Sequence, residues 1–85
     1  MENYDLNFTS ESIKLMEVVE DRRISNTQSI KTLLIEKDGK EYIALNKWWR
    51  KSVRDPWIEG KGFHMEQAEA EDLLKAMKKA ILMLK

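Results

Sequence analysis

Ile30-Lys31-Thr32-Leu33-Leu34-Ile35-Glu36-Lys37 and Lys40-Glu41-Tyr42-Ile43-Ala44-Leu45-Asn46-Lys47-Trp48-Trp49 are two β-rich runs separated only by Asp38-Gly39. Asp-Gly is a preferred pair for a type I′ turn, in which both central residues take positive φ, so the two runs read as one antiparallel hairpin. In its second strand Ile43, Leu45, Lys47 and Trp49 alternate with Tyr42, Ala44, Asn46 and Trp48. Successive side chains of a strand point to opposite faces, so each face of the hairpin carries a tryptophan.

Downstream, Arg50 to Glu59, with Asp55-Pro56, reads as a connection. Gly60 and Gly62 bracket Lys61, and Phe63-His64-Met65 reads as a short last strand. From Glu66 to Leu84 the pattern becomes helical: Ala70, Leu73, Leu74, Met77, Ala80, Ile81 and Leu84 recur at three- and four-residue spacings. Acids occupy the early turns and lysines the later ones, the order a helix dipole favours. Leu82 falls on the polar side and Met83 lies off the stripe, which leaves the last two turns apolar nearly all round. One sheet cannot cover such a helix end, so Met77, Ile81, Leu82, Met83 and Leu84 are the expected homodimer interface. Upstream, Asn7 to Glu20 fits an amphipathic helix or a long, bulged strand. Strand is preferred because Val18-Val19 is β-branched and the hairpin needs a further partner. The expectation is one α+β domain over residues 1–85. It has a loose acidic segment at 1–12, a four-stranded antiparallel sheet at 13–65, and a C-terminal amphipathic helix at 66–84.

A chain of 85 residues without cysteine has a small core and no disulfide or thiolate-metal staple, which leaves association with a second copy as the means of adding stability. The acidic start lacks the features of a signal peptide, and no apolar run reaches the length of a membrane span, so the expected location is cytoplasmic. The formal net charge is zero, yet the charge is segregated. Residues 1–21 hold six acids against Lys14 alone, whereas Lys47 to Arg54 holds Lys47, Arg50, Lys51 and Arg54 and no acid. Screening cuts off charges beyond about 8–10 Å, so the local potential governs where an anion settles.

Within and beyond this basic segment, cations interleave with large rings: Lys47-Trp48-Trp49-Arg50-Lys51, then Arg54, Trp57, Lys61 and Phe63. Single-stranded nucleic acid presents unstacked bases and a phosphate chain, and a binder needs flat apolar platforms and cations in this mixture. Each stacked base is worth about 1–3 kcal/mol, so a few platforms and phosphate contacts suffice without base readout. The competing reading assigns individual tryptophans to the core, but Trp48 and Trp49 cannot both point inward from a regular strand. Other chemistry has little support. His64-x-Glu66 lacks further ligands for a metal. Glu69, Glu71 and Asp72 fall on the solvated side of the helix, and no serine sits in a nucleophile elbow. No enzyme activity, cofactor or metal is expected.

Lys37-Asp38-Gly39-Lys40 at the hairpin, Trp48-Trp49 ending the next strand, and Gly60-Lys61-Gly62-Phe63 leading through Met65 into the long helix together resemble the transcriptional positive cofactor four family of coactivator-type single-stranded-DNA-binding domains, in its short bacterial form. The resemblance covers about residues 13 to 85. It implies a four-stranded antiparallel sheet and a helix, dimerisation through the helices, and a sheet surface that grips single strands. By position Lys40, Asn46, Trp49 and Lys61 match the family's DNA-contacting residues, with Lys40 and Lys61 on phosphate and Trp49 stacking a base; Lys37 is a further expected contact, although the turn carries Lys37 and Asp38 where family members often have an aromatic and a lysine. Asn46 stands where an arginine is common and Gly60 where a basic residue is frequent, which shifts weight onto Arg50, Lys51 and Arg54. The expected function is non-sequence-specific binding of single-stranded DNA, with RNA as the other candidate strand, in transcription, replication or repair. The alternative is a dimeric protein-interaction module whose tryptophans form a hot-spot patch.

Overall fold

The computed structural model describes residues 6–85 and shows an α+β chain. It comprises β1 (Leu6–Asn7), β2 (Ile13–Ser25), β3 (Gln28–Lys37), β4 (Lys40–Trp49), β5 (Trp57–Met65) and α1 (Gln67–Met83). Strands β2 to β5 form an antiparallel meander, and β1 adds to its far edge in the spatial order β1-β5-β4-β3-β2. The expected four antiparallel strands are therefore five in a mixed sheet, because Leu6 and Asn7 pair parallel with Trp57 and Ile58. The part of the 1–12 segment within the described residues is correspondingly not loose: Phe8 packs edge-on against Trp48, with ring centroids 5.2 Å apart. Its first five residues lie outside the described residues.

The β3–β4 hairpin forms in the register that the Asp38-Gly39 turn dictates, Lys37 opposite Lys40 through Gln28 opposite Trp49. Asp38 and Gly39 have φ of 53° and 82°, the double positive φ of a type I′ turn. Segment 7–20 contributes a strand, but that strand begins at Ile13 and runs on to Ser25. Its register against β3 slips three times, between Leu15 and Glu17, Val18 and Glu20, and Arg23 and Ser25. Each slip is a bulge that leaves one residue unpaired and coils the sheet. Met16, Val19 and Ile24 are the residues passed over, and each is about half exposed or more. The last strand starts at Trp57, six residues before the expected Phe63, because β5 continues past the Gly60-Lys61-Gly62 crossing.

The core occupies one face of this coiled sheet. Leu33, Ile35, Ala44, Trp48 and Trp57 are buried there, with Leu6, Phe8, Ile13, Leu15, Val18 and Tyr42 packed around them. The opposite face, reached by the alternate residues, carries Leu34, Trp49 and Phe63, which are 37 %, 44 % and 63 % exposed. Helix α1 starts with the Glu69 carboxylate accepting from the Glu66 backbone N–H at 3.0 Å. It buries none of its residues; only Ala70 and Leu73 are half-buried. The expected apolar stripe exists, but its later turns leave the sheet.

Candidate nucleic-acid interface

The centre of the candidate site is the crossing of β4 and β5. Asn46 pairs with Gly62 and Trp48 with Glu59, so two steps along β4 face three along β5. The extra residue makes a bulge, and the strands approach so closely there that side chains are excluded. A Cβ at Gly60 would lie 2.5 Å from the Lys47 carbonyl oxygen, and one at Gly62 would overlap the Leu45 carbonyl and the Asn46 backbone. Between these glycines Lys61 is carried into solvent. The result is a groove of about 370 Å³ lined by Gln28, Lys47, Trp48, Trp49, Gly60 and Lys61. Here a half-open indole, Trp49, lies with two exposed lysines.

Around the edge of the sheet a second aromatic is treated differently. Trp57 is 5 % exposed, and the Arg50 guanidinium, the Lys31 ammonium and the Arg23 guanidinium lie 4.1, 4.4 and 5.2 Å from its ring centroid. Arg50 is held by its Nε–H donating to the Asn26 carbonyl at 2.7 Å. Lys31, 3 % exposed at its side chain, pairs with Asp21 at 2.9 Å, and the Ser29 hydroxyl donates to the same carboxylate. Burial opposes ionisation of Asp21, but hydrogen bonds from Ser29 and Lys31 and the charges of Lys31 and Arg23 hold its carboxyl below the usual carboxylate value. Burial also pushes the Lys31 ammonium below the usual lysine value; Asp21 draws it back, and repulsion from Arg23 and Arg50 adds to the lowering.

On the core side of the same crossing lies a wider groove of about 590 Å³, lined by Thr9, Asn46, Glu59, Gly60, Lys61, Gly62 and His64. Glu59, almost fully buried, accepts from the Thr9 N–H at 2.9 Å and its hydroxyl at 3.1 Å, and contacts His64 Nε2 at 2.8 Å. The partner of His64 is therefore Glu59; Glu66, proposed beside it from spacing, instead meets Lys40 at 3.8 Å.

The residues expected to bind nucleic acid divide into separate groups. Lys47, Trp49 and Lys61 share the groove. Arg50 and Trp57 form the cation cluster, with Trp57 as its buried floor and its face covered. Lys51 and Arg54 are exposed in the β4–β5 loop. Trp48 is 0 % exposed and Asn46 5 % exposed, with the Asn46 Nδ2 donating to the Gly60 carbonyl at 3.2 Å. Neither presents a surface to a strand, because the even-numbered residues of β4 face the core. Lys37, half-buried with its ammonium 5.1 Å from the Tyr42 ring, and Lys40 lie at the other end of β4, about 30 Å of strand from Trp49. Sequence reasoning missed Arg23 and Lys31. Their signal, cations on the core-facing alternation of β2 and β3, becomes readable only once the bulged register is known.

Fold and groove together define a small sheet-and-helix domain with a basic, aromatic groove on an open sheet face. A scan against protein-family models, a search of curated proteins and a search of solved structures each found no match.

Proposed function

We propose that this chain binds single-stranded nucleic acid with little base specificity, stacking a base on Trp49 and holding phosphates with Lys47, Lys61 and the loop cations Arg50, Lys51 and Arg54. The observation that carries the reading is the half-open Trp49 indole sharing a groove with two exposed lysines at a glycine-enforced strand crossing. Stacking needs an accessible ring face and is indifferent to base identity, while the phosphate contacts supply salt-dependent affinity. The resemblance to coactivator-type single-stranded-DNA-binding domains supports the same reading, with DNA as the strand and transcription, replication or repair in the cytoplasm as the setting. The working unit in this proposal is a homodimer. Leu74, Met77, Ile81, Leu82, Met83 and Leu84 are 51–85 % exposed along one helix. Contiguous apolar surface of this kind marks an interaction site, and a second copy covers it at no cost in new sequence.

The test is fluorescence anisotropy of a labelled mixed-sequence strand, as DNA and as RNA, titrated with the wild type and Trp49→Ala at several salt concentrations, with duplex as competitor. Expected are preference for the single strand, a slope of log affinity on log salt near −0.7 for each phosphate neutralised, and weakening on substitution. Absence of binding at low salt overturns the reading. A second reading, a protein-interaction patch, is favoured by the apolar exposure of Phe63 on the same sheet face as Trp49; it predicts a contact nearly insensitive to salt.

A further inference from the structure

Three cations converge on the single indole of Trp57, and among the described residues only Asp21 forms an ion pair with any of them. Three positive charges less one carboxylate leave a surplus of two. Lys31 is buried and Trp57 is 5 % exposed, so this surplus is only partly relieved by solvent. The donors are also arranged for use. Arg50 spends its Nε–H on the Asn26 carbonyl and one Nη on the Val53 carbonyl at 3.5 Å, which fixes the plane of its guanidinium and leaves its second Nη without a partner among the described residues. Arg23, exposed on β2, makes no ion pair or hydrogen bond through its guanidinium among the described residues.

We propose that the guanidinium groups of Arg23 and Arg50, which share the Trp57 ring with the buried Lys31 ammonium, form a phosphate subsite. Guanidinium forks match phosphate oxygens in geometry. A surplus of two charges matches either one terminal phosphomonoester, which carries about −1.5 to −2 at neutral pH, or two successive backbone phosphodiesters at one charge each. Arg50 directly follows Trp49 in the chain, so a strand stacked on Trp49 reaches the cluster by turning round the end of β4. The subsite itself stands on the cluster; that its phosphate belongs to a nucleic-acid strand rests on the function proposed above.

The experiment compares wild type with Arg23→Gln, a change at an exposed β2 position, using one oligonucleotide sequence with a 5′-phosphate, a 3′-phosphate or hydroxyl ends. A terminal-phosphate site gives about tenfold tighter binding of one phosphorylated strand, lost in Arg23→Gln while the hydroxyl-ended strand is unaffected. A backbone site gives equal weakening of all three strands and a salt slope shallower by about 0.7. Either result supports the subsite. Unchanged affinities and slope in Arg23→Gln, with Trp49→Ala still weakening binding, overturn the subsite and leave the proposed function standing. If the wild type binds no strand, pyrophosphate is titrated while the Arg50 Nε–H resonance is followed by NMR. A saturable shift absent from Arg23→Gln supports the subsite without the strand, and no shift overturns it.

Discussion

Trp48 and Trp49 are chain neighbours with opposite surroundings, one sealed against Phe8 and the other 44 % exposed beside Lys47 and Lys61. Their substitutions should therefore separate stability from binding. Trp48→Ala removes a fully buried ring and is expected to cost about 3–5 kcal/mol, measured by urea unfolding. Trp49→Ala should leave the urea midpoint nearly unchanged and weaken strand binding by about 1–3 kcal/mol. The Lys31–Asp21 pair makes a pH prediction. Asp21 titrates below its unfolded value, so its contribution to stability is present above the ordinary carboxylate range and is lost as pH falls through the lowered folded value. The gap in unfolding free energy between wild type and Asp21→Asn should hold steady from neutral pH down to about pH 5 and close below about pH 4. Lys31 also titrates below its unfolded value, so between the two values the unfolded chain binds more protons and stability rises with pH. That alkaline rise should be smaller in Lys31→Met.

Among the elements, β5 ties fold and site together most directly. A methyl group at Gly60 meets backbone, the Lys47 carbonyl, and cannot be accommodated by a side-chain rotation. Gly60→Ala is expected to destabilise by about 1–3 kcal/mol and to weaken strand binding even where the chain remains folded, since the bulge that carries Lys61 must shift; thermal unfolding and anisotropy on the same sample check both. The elements differ in how far their sequence announced them. The β3–β4 hairpin was fully legible because Asp38-Gly39 sets the register and every residue after it alternates. Strand β2 was legible only as a choice between strand and helix: its bulges place Met16 and Val19 out of the two-residue alternation, and the surviving apolar spacings of three imitate a helix turn. The two-residue turn at Asn26-Thr27 lacks the glycine that marks the other hairpin. Strand β1 is two residues long and pairs parallel with a segment 51 residues further along the chain, a relation no local pattern encodes. At the candidate site, the basic-aromatic cluster of the sequence divides between the groove at Trp49 and the cations around Trp57. The split between Trp49, Trp48 and Trp57 depended on strand face and on the bulge in β5, which spacing alone does not give.

As a whole the molecule is more extended than its length requires. Its radius of gyration is 14.0 Å, against about 12 Å for a compact domain of this size, and the excess matches a helix about 25 Å long that leaves the sheet after its first turns. Its cationic groove and cation cluster gather at the end of the sheet where β4 leaves for β5, which gives a chain of zero net charge one strongly positive pole. The dimer proposed from the helix predicts that Ile81→Asp, a change at a 62 % exposed position, converts a sedimenting dimer to a monomer at micromolar concentration and lowers the unfolding midpoint. Substitution at an exposed site of a monomer would change neither. The three indoles of the chain all lie at that positive pole, in three unlike surroundings: fully buried at Trp48, half in water at Trp49, and capped by cations at Trp57. The unlabelled protein thus carries its own optical readout. Iodide should preferentially quench the red-shifted emission of Trp49, leaving the blue-shifted signal of Trp48 to follow the folded population in the same cuvette.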